Sequence, residues 1–490
     1  MALPGIKFRV SVLTRKKIPL AEKVLVTDIA AQGKSIARIN NFVTFVSNAL
    51  PGDLVDLQII RRHKSWQEAR AVNFHSLSDK RTSPFCEHFG NCGGCRWQDM
   101  KYNDQLFYKH KEINDQFKRI GKITFPEPEP IIGSDSDKYY RNKLEFTFTN
   151  NRWLSREEIE TGNVIVQRNG LGFHVRLLFD KVIDLNKCYL QPDPSNLIRL
   201  NIRDFAINNN YSFFDLKKHG GLLRNLIIRT SSTGEVMVVV VFYENNPEAR
   251  NDILSHITSS FPEITSLMYG INQKANDSIH DLEFNMYKGR NHIIENLDDL
   301  RFRIGPKSFF QPNTSQALKL FRWVRDNAAL DGSEIIYDLY SGTGTISIFL
   351  AKYAKKVIGL EYIDEAVQYA QINTSLNHFS NTQFLCGDIR DLLNEHLLKT
   401  EGYPDIIITD PPRAGMHKNV IGLILSVLPQ KIIYISCNPA TQARDIKLLS
   451  DHYHIVRIQP FDMFPHTWHV ENVVLLERVS HIRTVNLKKG

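Results

Sequence analysis

The last third of this chain places a thiol and a series of carboxylates where apolar runs end. In Ile435-Ser436-Cys437-Asn438-Pro439 a cysteine follows such a run. A thiolate is a strong nucleophile, and partial exposure in an electropositive crevice is expected to lower its pKa. Asp338, Glu361, Asp388 and Asp410 stand at or beside the ends of four other runs. Each alone reads as a helix cap as readily as a ligand contact, but the regular series argues for one shared crevice. Pro465-His466-Thr467-Trp468-His469-Val470-Glu471 precedes the final apolar run and puts Glu471 in reach of the same rim as a proton acceptor. A nucleophile and a base so placed suit covalent addition to an electron-poor carbon followed by loss of a proton. A second group, Cys86, Cys92 and Cys95 in C-x5-C-G-G-C with Cys188 distant, forms a closed four-thiolate set. Its spacing does not choose between zinc and iron-sulfur. Cys386, just before a Gly-Asp pair, reads as a core residue.

These residues need a frame. Asp338-Leu339-Tyr340-Ser341-Gly342-Thr343-Gly344-Thr345 closes a strand and opens a helix, and small residues there let the backbone approach a ligand. A dinucleotide fingerprint would carry a third glycine where Ser347 stands, which disfavours a nicotinamide enzyme. Led by an aspartate and followed by Glu361 on the next strand, the motif resembles the S-adenosylmethionine site of class I methyltransferases. Glu361 is then expected near the ribose, Asp388 near the adenine and Asp410 near the methyl donor. From about 305 onward, apolar strands such as EIIYDLY, KKVIGLE, PDIIITD and KIIYISC alternate with predicted helices at 345–353, 364–376 and 418–428. That alternation predicts a doubly wound parallel sheet.

Ahead of it, residues 18–75 read as five short strands with turns at Gln32-Gly33 and Pro51-Gly52-Asp53, the size of a small OB-like barrel. Arg61, Arg62, His63, Lys64 and Trp66 offer charge for phosphate and a ring for stacking. A helical stretch runs to about 120, a Pro-rich linker covers 125–130, and 131–304 is strand-rich. Composition agrees with a large folded chain: of 490 residues, 42% are hydrophobic and 23% charged, which excludes disorder as the main state. Six cysteines are too few for a disulfide framework. The apolar stretch Val236–Tyr243 is far shorter than a membrane span, and the opening residues lack the core of a signal peptide. A soluble, cytoplasmic, monomeric protein without membrane association is expected. The net charge of +8 is concentrated: residues 1–120 hold 20 Lys and Arg against 11 Asp and Glu, as expected of a front that meets a polyanion.

DLYSGTGT, DPPRAG, YISCNPAT and HTWHVE, in this order and spacing, resemble the RNA 5-methyluridine methyltransferases. The similarity spans essentially the whole chain, with YRNK at 140–143, GLLRNLIIR at 221–229 and KSFFQPN at 307–313 as further family segments. The resemblance implies three regions: a TRAM barrel at 15–75 that binds RNA, a central α+β domain at 76–304 with an iron-sulfur loop, and a class I methyltransferase domain at 305–490. It implies Cys437 as nucleophile, Glu471 as general base, and Gln311, Tyr340, Thr345, Glu361, Asp388 and Asp410 around S-adenosylmethionine. Phe309 is expected either to stack near the target base or to be core. The four cysteines are expected to hold a 4Fe-4S cluster, kept dry by Phe85, Phe89 and Trp97. The chemistry fits: a thiolate added to C6 of uracil makes C5 nucleophilic enough to take a methyl group. The substrate expected is large-subunit ribosomal RNA, with transfer RNA, or RNA binding without turnover, as alternatives.

Overall fold

The computed structural model describes residues 20–479, so positions 15–19 of the expected barrel lie outside the described residues. The chain forms two compact units, one through Thr82 and one from Ser83. In the first, strands Leu20–Ala30, Lys34–Ile39, Phe42–Ser47, Trp66–Ser76 and Leu54–Arg62 close in that spatial order into a barrel. Its interior is lined by small side chains, Val26, Ala37, Val46, Val55, Leu57, Ala69 and Ala71, as a narrow barrel requires. Buried Asp53 in the expected turn accepts from Leu50 N at 2.6 Å and Ser78 N at 2.9 Å and pairs with Arg81 at 2.6 Å, tying the turn to the end of the last strand. The rings of His63 and Trp66 stack with centroids 3.7 Å apart.

The second unit holds two seven-stranded sheets. Strand Val236–Phe242 of the first is buried along its whole length, and its alternating side chains serve two cores. Val236, Val238, Val240 and Phe242 pack on the helices Ser195–Asn208 and Pro247–Ser260. Met237, Val239 and Val241 enter the core that also contains Ile336, Phe349, Ile433 and Ile435 of the second sheet. This shared core explains why the stretches on either side of position 304 cluster as a single compact unit. Helix Tyr102–Gln116, early in the chain, likewise packs far from its sequence neighbours: Ile113 buries against Tyr434, Ala443 and Ile446.

The second sheet has the order Thr382–Cys386, Lys356–Glu361, Ile335–Leu339, Ile406–Thr409, Lys431–Ser436, Glu471–Arg478, Tyr453–Phe461. The first five strands are parallel, and Glu471–Arg478 runs antiparallel between its neighbours. The predicted helices appear at Thr345–Ala351, Asp364–Leu376 and Lys418–Val427. The Pro-rich linker covers the free edge, with Glu129 N donating to Ile458 O at 2.9 Å and Ile132 N to Pro460 O at 3.0 Å. Cys386 is exposed, not core, because its strand is the other edge of the sheet.

Candidate active site

The strand order reverses beside Ile335–Leu339: from it the chain first adds strands on one side, then returns to add Ile406–Thr409 on the other. At such a switch point the two following loops diverge and leave a crevice at the carboxyl ends. Here the crevice is a cavity of about 90 Å³ lined by Phe309, Gln311, Asp338, Tyr340, Gly342, Thr343, Thr345 and Asp410, among others. The loop is shaped for close approach. Tyr340, Gly342 and Gly344 all have positive φ, and a Cβ on Gly344 would lie 2.7 Å from the Phe384 ring, whereas one on Gly342 would meet only open space. Glu361 holds that loop from the neighbouring strand, accepting from Gly342 N at 2.9 Å and Ile363 N at 2.8 Å. A carboxylate has about four lone-pair sites, so it keeps capacity for a further donor. Glu361 and Asp388 are not among the residues lining the cavity. Asp388 caps the short helix Ile389–Leu392 through Arg390 N at 2.9 Å and pairs with the Arg390 guanidinium at 2.5 Å, which lowers its pKa to about 2. Phe309 is 66% exposed, which removes it from the core.

Cys437 follows the strand Lys431–Ser436, and the antiparallel register pairs Ser436 with Asn472. Cys437 directly follows that pair and Glu471 directly precedes it in the chain, close enough for the charges of Glu471 and of Asp410, just past the adjacent strand, to act on the thiol. Glu471 is 3% exposed, and burial together with the Asp410 charge pushes its pKa well above the usual carboxylate range. Burial raises Asp338 to about 7; Ser347 Oγ donates to its Oδ2 at 2.6 Å, while Oδ1 has no hydrogen-bond partner. Asp410 is raised by burial and by Asp338. The expected lowering of the Cys437 pKa is not observed. Burial raises it to about 11, Glu471 and Asp410 push the same way, and the hydrogen-bonded Arg413 guanidinium only partly offsets them. The crevice is acidic, not electropositive.

The four cysteines expected to act together, Cys86, Cys92, Cys95 and Cys188, line one cavity with Phe89, Phe173, Leu185 and Leu190. The Cys-Gly-Gly-Cys loop lies against a neighbouring hairpin, with Gly93 N donating to His174 O at 3.0 Å. A Cβ on Gly93 would lie 2.8 Å from that oxygen, so only glycine fits there. Asn196 brings in Cys188 by accepting from its N at 2.8 Å and donating to its O at 3.1 Å. All four are free thiols, and burial raises Cys92 to about 11 and Cys95 to about 12. Among the described residues no group of three or more His, Cys, Asp or Glu is arranged to hold a single metal ion. Of the expected aromatic shell, Phe89 lines the cavity, while Phe85 packs edge-on against Tyr189 and His466.

The central segments hold the active-site loops. Asn142 donates to Gln311 O at 2.8 Å, Arg229 to Ser308 O at 2.6 Å, and Tyr140 Oη to Pro465 O at 3.0 Å. Sequence reasoning missed Arg413, which also bonds His469 at 2.9 Å, although it sits in the quoted DPPR motif.

An Asp-led glycine loop at the switch point, with acidic residues at the strand ends, defines an S-adenosylmethionine-dependent methyltransferase of the class I fold. Residues 285–479 match the family described as tRNA (Uracil-5-)-methyltransferase, and residues 22–72 match the TRAM domain. An uncharacterized RNA methyltransferase of Bacteroides thetaiotaomicron is 51% identical, over 92% of this chain and 100% of its own length. One of Porphyromonas gingivalis is 48% identical, over 92% and 99%. The solved structure of the Pyrococcus abyssi tRNA (uracil-54, C5)-methyltransferase in complex with S-adenosyl-L-homocysteine is 28% identical, covers 93% of this chain and 99% of its own, and superposes with a TM-score of 0.73. The chain belongs to the tRNA (uracil-5-)-methyltransferase family of S-adenosylmethionine-dependent RNA methyltransferases and carries a TRAM domain. Among the described residues no helix is long and apolar enough to cross a membrane.

Proposed function

We propose that this protein methylates C5 of a uridine in large-subunit ribosomal RNA by covalent catalysis. The observation that carries the chemistry is the nearness of Cys437 and Glu471, which flank the paired Ser436 and Asn472, to each other and to Asp410 of the cavity wall. The Cys437 thiolate, with Arg413 as its counter-cation, adds to C6 of the uracil and leaves C5 electron-rich. S-adenosylmethionine, when bound, supplies an electrophilic methyl group. Gln311, Tyr340, Thr345 and Asp410 would hold it from the cavity wall, Glu361 from the ribose side and Asp388 from the adenine side. Glu471 then accepts the C5 proton; the electron pair of that bond closes C5=C6 and expels the Cys437 thiolate. A carboxylate whose pKa is raised by burial is, once ionised, a stronger base than an ordinary one. The base must be flipped out of its stack to reach the rim, where exposed Phe309 offers it a stacking surface.

Cys86, Cys92, Cys95 and Cys188 would hold a 4Fe-4S cluster. What supports this is that the four thiols line one apolar-walled cavity, the setting in which thiolates hold such clusters. Methyl transfer needs no electrons, so the role of the cluster is structural or RNA-binding. In this reading residues 15–75 are the RNA-binding front, 76–304 the cluster-bearing middle and 305–490 the transferase, acting as a cytoplasmic monomer. The four-cysteine set favours ribosomal RNA by family resemblance. Transfer RNA is the second reading, favoured by the name of the archaeal structure. Mapping 5-methyluridine in both RNAs from cells with and without the protein decides. Loss from one large-subunit uridine is expected; loss from transfer RNA alone overturns the substrate, and no loss overturns the activity.

A further inference from the structure

Gln105 has no place in the chemistry above, yet its side chain is fully buried on the helix Tyr102–Gln116 and joins two loops. Its amide nitrogen donates to Trp97 O and Met100 O, both at 2.9 Å, and lies 3.2 Å from His466 Nδ1, while its carbonyl oxygen accepts from His466 N at 2.8 Å. His466 O in turn accepts from Arg96 N at 2.7 Å and Trp97 N at 3.0 Å. The segment directly after Cys95 is therefore bonded to the loop that delivers Glu471, at a residue held with φ 63°. Other anchors act on the start of the same loop: Lys109 Nζ reaches Asp462 at 2.5 Å and Phe464 O at 3.0 Å in a fully buried ion pair.

The two catalytic side chains differ in what holds them. Cys437 lies one residue past its strand, whose pairing ends at Tyr434 on one side and Ser436 on the other. Glu471 is the first residue of its strand, paired with Phe461, and is entered from the irregular 462–470, so its placement is set by that pairing together with whatever pins the loop. Displacement of a reacting group by about 1 Å costs about 100-fold in rate.

We propose that Gln105 is the positioning residue for the general base: by bonding His466 to the cysteine loop, it places Glu471 for removal of the C5 proton. This rests on the reading of Glu471 as that base. Loss of Gln105 should slow proton removal and Cys437 expulsion while leaving attack and methyl transfer near normal, so the covalent protein-RNA adduct should accumulate.

The test uses the full-length, iron-loaded protein, an RNA transcript carrying the mapped site and S-adenosylmethionine with a labelled methyl group. Gln105→Ala and the volume-matched Gln105→Met are compared with Glu471→Gln, following labelled adduct on a denaturing gel and iron per chain. Expected are wild-type adduct formation, release slowed by about 10- to 100-fold and unchanged iron. Parallel loss of adduct formation and release in both Gln105 variants indicates a general structural role and overturns the inference. Adduct in Glu471→Gln but none in either Gln105 variant overturns it alone. No adduct in Glu471→Gln overturns the base assignment and this inference with it.

Discussion

The carboxyl rim of the second sheet and the cysteine loop both bury acidic groups whose pKa values burial raises, but they are completed differently. On the rim, burial raises Asp338, Asp410 and Glu471, Asp338 adds to the rise of Asp410 and Asp410 to that of Glu471, and the cation bonded to the thiol, Arg413, is exposed and shared with His469. In the loop the thiols are raised by burial in an apolar wall, and the nearby Arg199 guanidinium is taken up by backbone oxygens of Leu185 and Asn186. Each site is acidic in excess of its own counter-charges, so each is suited to a cation brought from outside. The rim opens on a crevice and suits a cation that leaves at every turnover. The loop walls its cavity with apolar side chains and, in the proposed reading, suits one that stays.

The largest expected effect breaks the rim. Cys437→Ala should lower methylation by more than about 10⁴-fold, the scale of losing a covalent nucleophile, with S-adenosylmethionine still bound. Methylation at the wild-type rate in a single-turnover assay removes Cys437 from the mechanism. The loop breaks differently. Cys188→Ser removes one wall of the second cavity and no catalytic group, so the expected result is loss of iron and acid-labile sulfide. A stability loss of more than about 4 kcal/mol, the range of metal-site loss, should accompany it. Stoichiometric zinc without iron in the parent protein overturns the cluster.

The rim was the more legible of the two in sequence, for a physical reason. Parallel strands buried on both faces read as unbroken apolar runs, so a polar residue at a run's end stands out, as Cys437 and Asp410 do, while Glu471 stands out by preceding the apolar run of the antiparallel strand. What a strand-end carboxylate bonds is not encoded in that pattern: Asp388 and Glu361 look alike in sequence, yet the first caps a helix and the second holds the glycine loop. Arg413 acts through a loop that returns to Cys437, and Gln105 is one polar residue in a helix beginning Tyr-Asn-Asp-Gln. Neither contact has a local signature. Residues 236–242 belong to a strand-rich stretch, but nothing in them tells that alternate side chains enter different cores. The thiol pKa was misjudged because the burial of Cys437, and after it the crevice charge summed over several strands, is set by tertiary packing.

The smallest effect sharpens the claim that the rim awaits a cation. Asp338, raised to about 7, and Asp410, raised with it, are partly protonated in the free enzyme near neutral pH. A sulfonium in the cavity they line favours their ionised forms and pulls both pKa values down. Binding therefore releases protons, and affinity rises with pH until both groups are already ionised in the free enzyme. Calorimetry between about pH 6 and 8 should show S-adenosylmethionine affinity rising about three- to tenfold. S-adenosylhomocysteine lacks the sulfonium charge, so its affinity should stay nearly flat. An equal rise for both ligands would mean that the pH dependence comes from groups that do not sense the sulfonium, and the two aspartates would then be neutral scaffolding.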